Sequence, residues 1–366
     1  MLRKLKKLRV LLIVAGLTTM YSYQFLSSGE RSWKCVARKN VVFLKTHKCA
    51  SSSIFNLLMR RALEKDLLVA VPKKPPYSHM GYPLHFDPER DMMDFASRGM
   101  RPNIMALHMR FNYTAVRQVM PADTVYITIM RNPSDLFLSL FYYFKLYDVY
   151  NVNASQFLYE PFLLDVVRNS RVHKSLGFNQ MAFDLGAEQH HLENGTVIDS
   201  LVRAVDSQFH LVMIAERFLE SLVLLKELLC WETDDVITFR QNDMRRKKTP
   251  LPRSAAKTLK RSNVADEALY AYFVRKFDLR VEAFGKERMR EEVMMLESRL
   301  KFWYKRCVHF DYRTRDSQVY EYYMKRQNAS TERVMCRRLS LPEQSFTEEL
   351  RQQALKRLGV IPKIVA

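Results

Sequence analysis

Short apolar runs alternate with longer amphipathic stretches along the first two thirds of the chain. The apolar runs predict buried strands over residues 41–45, 103–107, 125–130 and 210–215. The amphipathic stretches predict helices that begin near residues 54 and 133 and others over about 155–168, 197–208 and 217–229. Because strand and helix alternate, the pattern predicts an α/β fold with a mostly parallel sheet and helices on both faces.

The remaining segments are less regular. Residues 72–102 are rich in proline, aromatic and charged residues, which predicts a long functional loop. Residues 240–261 contain nine basic residues and one acidic residue, as expected either of a solvated loop or of a flap over an anionic ligand. From about residue 263 the pattern predicts a helical C-terminal part, with long charged stretches at about 278–306.

The N-terminus carries a candidate membrane anchor. Residues 10–29 form an uncharged run that, at about 20 residues, is just long enough to span a bilayer as a helix. The basic residues before it predict a cytoplasmic tail at 1–9, followed by an anchor at 10–29, a stem at 30–38 and a luminal domain at 39–366. A cleaved signal peptide is the alternative, although the cleavage motif is not convincing.

Sequons and cysteines agree with a luminal chain. Four N-x-[ST] sequons are candidate glycosylation sites: Asn112, Asn153, Asn194 and Asn328. An oxidising lumen permits disulfides, and Cys49 is expected to be a free thiol. The other four cysteines allow three pairings, among which the sequence does not choose: Cys35, Cys230, Cys307 and Cys336. Zinc binding is not expected, because no close Cys or His pair has ligand spacing.

The turn between the first predicted strand and helix has the features of an anion site. Free N–H groups and the helix dipole favour negative charge at a helix N-terminus. Lys48 adds a mobile cation, and Thr46 and the serines add hydroxyl donors. The candidate binding residues are those of the turn: Lys45, Thr46, His47, Lys48, Cys49, Ala50, Ser51, Ser52 and Ser53. The turn contains no glycine, so it is not a Walker A loop.

The chain of 366 residues has a formal net charge of +20, which suits anionic ligands such as nucleotides, sulfated glycans or lipid headgroups. The predicted anchor and sequons exclude most nucleic acid on topological grounds. Two other function classes stay open on charge and local pattern. One is a non-catalytic, basic glycan-binding membrane protein. The other is a P-loop nucleotide kinase, which should have glycines in its phosphate loop, absent from this turn, and a carboxylate for Mg²⁺.

Four long segments follow one another in a defined order: FLKTHKCASSSIFNLL, LHMRFNYTAVRQVMP, TIMRNPSDLFLSLFYYF and FHLVMIAERFLESLVLLKELLCWE. In these segments, from about residue 38 to about 296, the chain resembles the galactose-3-O-sulfotransferase family of Golgi enzymes. The resemblance implies a P-loop-like sulfotransferase fold and a type II Golgi membrane protein. It also implies sulfuryl transfer from 3′-phosphoadenosine 5′-phosphosulfate (PAPS), without a metal, to the 3-hydroxyl of a terminal galactose. The last segment looks closest to the glycolipid-acting member, and the glycoprotein-acting members share most of it.

Sulfuryl transfer, like phosphoryl transfer, is an in-line displacement that depends on positioning and charge stabilisation. Lys48 is the candidate cation for the departing oxygen, and Lys45 is its competitor. Arg131 and Ser139, eight residues apart, match the family's 3′-phosphate motif.

A histidine is the candidate base for the acceptor hydroxyl. His108 follows a predicted strand end, where open α/β sheets place their ligands, and it matches the histidine of the family's HMRF segment. His47 is the second choice. Two positions depart from the family pattern: Cys49, where relatives usually have Thr, and Asn132, where they usually have Asp.

Overall fold

A four-stranded parallel sheet with the order β2-β1-β3-β4 lies at the centre of the fold. The computed structural model describes residues 35–171, 176–241, 251–314, 319–327 and 329–360. The strands are β1 (Val41–Leu44), β2 (Ile104–Met105), β3 (Val125–Met130) and β4 (Leu211–Ile214). All four are buried along their length, which is why each appears in the sequence as a continuous apolar run.

Helices flank this sheet, as predicted. Fifteen α-helices are described: α1 (Ser51–Glu64), α2 (Pro88–Asp91), α3 (Tyr113–Val119), α4 (Pro133–Tyr143), α5 (Leu146–Tyr150), α6 (Ala154–Phe157), α7 (Pro161–Ser170), α8 (Gln180–Asp184), α9 (Gly195–Gln208), α10 (Phe218–Leu229), α11 (Arg253–Ser262), α12 (Val264–Phe284), α13 (Lys286–Cys307), α14 (Ser330–Ser340) and α15 (Glu343–Arg357). Four described 3₁₀ segments join them: Ala96–Arg98, Gln189–His191, Ala215–Arg217 and Thr233–Val236.

The predicted α/β architecture is confirmed, with differences in detail. The strand predicted at 103–107 is only two residues long, and the end of the basic segment predicted as a loop or flap forms α11. The helix predicted at 155–168 is divided into α6 and α7. The predicted helical C-terminal part also contains an antiparallel hairpin, β5 (Val308–Arg313) and β6 (Tyr320–Met324). Its strands mix aromatic and charged residues and lie half exposed, so they lack the apolar run that identified the four buried strands.

A buried arginine holds α1 against the rest of the core. Arg60 is 2% exposed, and its guanidinium donates to the carbonyl oxygens of Asp235, at 3.1 Å, and Ile237. Burial lowers the pKa of Arg60 to about 10, so it stays charged at neutral pH. These bonds fix α1 to the segment that follows α10, and they therefore also fix the N-terminus of α1 at the sheet edge.

Several predicted features lie outside the described residues: the tail and anchor at 1–29, most of the stem, residues 242–250 of the basic segment, and Asn328. Every element named above belongs to one compact unit that begins at residue 37. None of the helices that the structure describes is both long and apolar enough to cross a membrane.

Cys307 and Cys336 form a disulfide that joins α13 to α14, and Cys49 is a free buried thiol.

The three sequons within the described residues all lie at helix N-caps. The Oδ1 atoms of Asn112, Asn153 and Asn194 accept backbone N–H groups of α3, α6 and α9. Because capping uses Oδ1, it leaves Nδ2, the atom that would carry a glycan, outside the cap. The surroundings of Nδ2 therefore distinguish these sites.

We expect Asn194 to carry an N-glycan and Asn112 to carry none. Asn194 is exposed, whereas Asn112 is partly buried and its Nδ2 donates to the carbonyl oxygen of Phe86 at 3.4 Å. Asn194→Gln should remove one glycan's share of the glycosidase-sensitive shift in gel mobility, whereas Asn112→Gln should leave the shift unchanged. A shift lost in Asn112→Gln and kept in Asn194→Gln would contradict this assignment.

Candidate active site

The turn after β1, here called the anion loop (residues 45–50), ends at an uncapped helix. Helix α1 has neither a side-chain N-cap nor an acidic residue in its first turn. Lys48 and Ala50 both adopt left-handed backbone conformations, with φ of 53° and 60°. Such curled backbone is typical of anion-binding nests, and the helix dipole adds to the positive potential there. The loop is therefore preorganised for a negatively charged group.

Most hydroxyls of the anion loop and of the first turn of α1 bond to the protein itself. Thr46 Oγ1 donates to Ile129 O at 2.6 Å, and Ser51 Oγ donates to Thr46 O at 2.7 Å. Ser53 Oγ lies 3.3 Å from Phe239 O. The prediction that these three side chains donate to a ligand stays a prediction, and each hydroxyl would have to leave its present acceptor to do so. Ser52 differs from these residues in its acceptor: its partly buried Oγ donates to the side-chain carboxylate of Glu343 at 3.3 Å rather than to a backbone carbonyl.

Lys48 and Arg131 connect the loop to the end of β3 and to α4. An Arg131 Nη atom donates to the carbonyl oxygen of Lys48 at 2.8 Å. The Nζ atom of Lys48 lies 3.4 Å from the ring centroid of Tyr143 on α4, a cation–π contact. Two cationic side chains are thus held between the anion loop and α4.

Arg131 and Ser139 are placed by the helix that follows β3. Asn132 caps α4 by accepting the N–H groups of Ser134, at 3.1 Å, and Asp135, at 3.2 Å, and Pro133 occupies the first turn. Asn132 is therefore the N-cap of α4. The cap holds Arg131 just outside the helix, and Ser139 lies within it.

Lys45, His108 and Glu343 form a partly buried polar cluster. Lys45 Nζ lies 2.8 Å from His108 Nε2 and donates to both carboxylate oxygens of Glu343, each at 2.8 Å. His108 Nδ1 lies 2.8 Å from the carbonyl oxygen of Lys45. Because a carbonyl only accepts, Nδ1 carries the proton and the lone pair on Nε2 faces the lysine.

The imidazoles of His108 and of the neighbouring His79 are held neutral. Burial and then the charge of Lys45 lower the pKa of His108 well below the ordinary histidine value. His79, whose ring centroid is 5.3 Å from that of His108, has its pKa lowered to about 4, chiefly by burial. His108 is therefore in its proton-accepting form even in mildly acidic solution.

His47 is oriented by a buried carboxylate. Its Nδ1 lies 3.0 Å from both oxygens of Asp184, and its backbone N–H donates to the same group at 2.8 Å. Asp184, fully buried, also accepts from Tyr82 Oη at 3.0 Å and Gln180 Nε2 at 2.9 Å. The pair fixes the His47 tautomer with Nε2 as its basic atom, the role an aspartate has in other Asp–His pairs.

These groups share one cavity of about 1790 Å³. Its described lining comes from the anion loop, α1, α4, the 3₁₀ segment after β4, the β5–β6 hairpin and the start of α15. The volume exceeds the roughly 300–1,000 Å³ of ordinary small-molecule sites. The cavity therefore has room for a large anionic ligand together with a second molecule. No group of three or more His, Cys, Asp or Glu within the described part of the chain is arranged to hold a metal ion.

Comparison with known proteins assigns the chain to a family. A family model described as galactose-3-O-sulfotransferase matches residues 7–354. The chain belongs to the galactose-3-O-sulfotransferase family. Human galactosylceramide sulfotransferase is 38% identical over 281 residues, which cover 74% of this chain and 63% of that relative. Pig galactose-3-O-sulfotransferase 2 is 36% identical over 342 residues, 86% of this chain and 84% of the relative. Bovine galactose-3-O-sulfotransferase 3 is 29% identical over 401 residues, which cover 98% of this chain and 92% of the relative.

In this galactose-3-O-sulfotransferase family member, most of the predicted site residues meet at the cavity. Those that line it are Lys45, His47, Lys48, Ala50, Ser51, Ser52, Ser53, His108, Arg131 and Ser139. Thr46 and Cys49 are fully buried and do not line it. Burial raises the pKa of the Cys49 thiol, so this residue acts as a small core side chain. The predicted roles of the lining residues stay predictions.

Three site residues of this family member were not predicted from the sequence. Asp184 ends the otherwise apolar stretch at 181–184, and a lone carboxylate in such a stretch is a signal for a buried partner. Tyr143 lies in an aromatic run, and nothing in the neighbouring sequence distinguishes it from the other aromatic residues there. Glu343 lies 298 residues from its partner Lys45, so no local pattern could pair them.

Proposed function

We propose that this chain is a PAPS-dependent sulfotransferase that acts on the 3-hydroxyl of a terminal galactose. The observation that carries the proposal is the uncapped N-terminus of α1, flanked by Lys48 and Arg131, in the same cavity as His108 and His47. A transfer of this kind requires an anion cradle, a cation for the leaving group and a base for the acceptor. The cavity offers a candidate for each requirement.

The donor would supply an activated sulfuryl group, and the anion loop would hold its phosphosulfate. Backbone N–H groups at the start of α1 and the Lys48 ammonium are the donors there, since three loop hydroxyls are already bonded within the protein. Lys45 is a poorer candidate than Lys48, because its ammonium is held between Glu343 and His108. Arg131 and Ser139 line the part of the cavity next to α4 and would hold the 3′-phosphate.

The acceptor hydroxyl would lose its proton to an imidazole. His108 is neutral and lines the cavity, and its Nε2 lone pair must leave Lys45 before it can accept a proton. His47 lies beside it, with a ring-centroid distance of 4.2 Å. We assign the base to His108, and His47 with Asp184 is the second candidate.

The proposed acceptor is a galactosylceramide-like glycolipid or, in second place, a glycoprotein glycan. Support comes from the segment at 209–232 and from the 38% identity to a relative named galactosylceramide sulfotransferase. A relative named galactose-3-O-sulfotransferase 2 is 36% identical over a longer stretch, and its name supports the 3-hydroxyl of galactose. The shared element of these names is transfer of a sulfuryl group to galactose.

An acceptor panel tests the proposal. The full chain with PAPS should sulfate galactosylceramide and lactosylceramide faster than N-acetyllactosamine, and a 3-deoxygalactoside should be inert. Adenosine 3′,5′-bisphosphate should raise the melting temperature, whereas ATP–Mg²⁺ and heparin should not. A chain that transfers no sulfuryl group to any galactoside, or that is stabilised only by heparin, would contradict the proposal.

Arg131→Ala should weaken PAPS binding mainly through the 3′-phosphate. Loss of a charge-assisted contact should cost on the order of 2 kcal/mol or more. Adenosine 5′-phosphosulfate lacks that phosphate, so its affinity should hardly change; calorimetry with both nucleotides measures the difference. The second nucleotide also controls for the lost bond to Lys48, because a loosened anion loop would weaken both. Equal losses would remove Arg131 from this role.

We also propose a single-pass type II Golgi membrane protein with its large domain in the lumen. The basic flank before residues 10–29 and the exposed sequon at Asn194 support this topology. A C-terminal tag should be protected from protease in sealed microsomes and digested once detergent is added. Digestion without detergent would contradict the proposed topology.

A further inference from the structure

The β5–β6 hairpin exposes an aromatic face. Phe310, Tyr312 and Tyr323 are 49%, 42% and 56% exposed. The rings of Phe310 and Tyr323 lie on paired positions of the two strands and stack, with centroids 4.9 Å apart and an angle of 12° between their planes. Large rings exposed side by side on one strand face are uncommon on a water-facing surface and mark an interaction site.

The opposite face of the hairpin belongs to the protein interior and the cavity. Tyr322 contacts the rings of Phe239 and Tyr304, at centroid distances of 5.3 and 6.0 Å. Tyr320 and Tyr322 also line the cavity. The hairpin is thus a wall with the candidate active site on one side and its exposed aromatic face on the other.

The surroundings of the aromatic face are basic. The hairpin's two described acidic residues, Asp311 and Glu321, are partly buried, and they accept hydrogen bonds from Tyr304 and Tyr312. The exposed polar residues of the strands and their immediate flanks are basic or histidine: Lys305, His309, Arg313, Lys325, Arg326 and Arg306, of which Arg306 forms an ion pair with Glu332. An exposed aromatic face with a basic border is complementary to a bilayer interface that contains anionic headgroups.

We propose that this face, Phe310, Tyr312 and Tyr323 with the basic border, docks the domain on a lipid bilayer and thereby presents a glycolipid headgroup to the cavity. The inference rests on the proposed function and deepens it, since it concerns how the acceptor is delivered. Tyrosine and phenylalanine suit the headgroup level of a membrane, where apolar ring bodies are buried and polar tips stay hydrated. None of the three exposed rings lines the cavity, so stacking on a glycan bound there does not account for them.

The test compares one galactose headgroup in two physical forms. Full-length Phe310→Ser/Tyr323→Ser and wild-type enzyme are assayed with galactosylceramide in phosphatidylcholine–phosphatidylserine vesicles and with a water-soluble galactoside. The variant should raise the KM for the vesicle acceptor about tenfold or more, because two interfacial rings are lost. Its kinetics with the soluble galactoside should match those of the wild type. Phe162→Ser, which removes a ring that is 75% exposed on α7, is the matched control and should change neither.

A charge variant tests the border while leaving the rings intact. Lys325→Glu/Arg326→Glu should raise the KM for the acceptor in anionic vesicles and leave the KM in pure phosphatidylcholine vesicles nearly unchanged. Equal losses on vesicle and soluble acceptors in the aromatic variant would indicate glycan contact or altered folding and would overturn the proposal. Unchanged kinetics on vesicles would overturn it as well.

Hydrogen exchange separates failure of docking from failure of the proposed function. In phosphatidylserine-containing vesicles, peptides from 308–313 and 320–324 should exchange more slowly in the wild type than in Phe310→Ser/Tyr323→Ser. This readout does not require turnover. A wild type that transfers no sulfuryl group yet shows the protection would refute the proposed function alone, and absence of protection would refute docking.

Discussion

Replacing Lys48 with alanine should lower kcat by about 10²–10³-fold, the loss typical when one preorganised charge-stabilising donor is removed. Lys48 precedes the uncapped N-terminus of α1 by three residues and lines the cavity, where negative charge on the leaving group would develop. The substitution should also weaken binding of adenosine 3′,5′-bisphosphate, because the same side chain faces the donor. Steady-state kinetics and calorimetric nucleotide binding measure the two effects.

Lys301→Ala is the matched control for a general loss of positive charge. Lys301 also lines the cavity, but it is exposed and pairs only loosely with Glu297, at 3.9 Å. Its removal should change kcat by no more than a few fold. Near-normal kcat in Lys48→Ala, or an equal loss in Lys301→Ala, would refute the specific role of Lys48 and make Lys45 the candidate.

His108→Ala should lower kcat by about 10²–10⁴-fold, as expected for loss of a general base. Nucleotide affinity should stay nearly unchanged, because the ring contacts Lys45 and stacks on His47 rather than on the first turn of α1. A thermal melt should accompany the assay, since the substitution also removes one partner of the buried Lys45. If the variant keeps nucleotide binding but loses turnover, His108 acts on the acceptor rather than on the donor.

The pH dependence follows from the lowered pKa of His108. A base acts only when it is unprotonated, so kcat rises with pH through the pKa and is constant above it. Because burial and Lys45 lower this pKa, the rise should lie well below the ordinary histidine value of about 6.5. Lys45→Gln removes a neighbouring positive charge, so the rise should move to higher pH. The acid limb should be absent from the residual activity of His108→Ala.

The competing outcome assigns the base to His47. If His108→Ala keeps near-normal kcat or the same acid limb, while His47→Ala loses both, the Asp184–His47 pair provides the base. Asp184→Asn would then lower kcat as well, because it disturbs the tautomer that makes Nε2 basic.

The elements that build the site were predictable because local physics specifies them. The strands β1 and β3 are continuous apolar runs because both of their faces are buried. Asn132 and Pro133 marked the start of α4 because capping and a fixed proline φ are local requirements. These elements place Lys48, His108 and Arg131 at one edge of the sheet, so the candidate site followed from the order of strands and turns.

The remaining features depend on contacts between distant parts of the chain. The direction of the Thr46 hydroxyl is set by a carbonyl on β3, and the partner of Lys45 comes from α15. The hairpin was not predicted because its strands are stabilised by aromatic packing on one face and leave the other exposed. Residue spacing carries no information about such pairings until the tertiary fold brings the segments together.

The ion pair between Lys45 and Glu343 makes assembly of the site depend on the order of synthesis. The ribosome makes the anion loop early and the N-terminus of α15 only near the end of the chain. Until residue 343 emerges, the ammonium of Lys45 lacks its carboxylate and must stay hydrated, because an unpaired buried charge is strongly destabilising. A nascent chain therefore carries an unfinished site, and a message that stops before α15 yields a protein without the group that neutralises the buried Lys45.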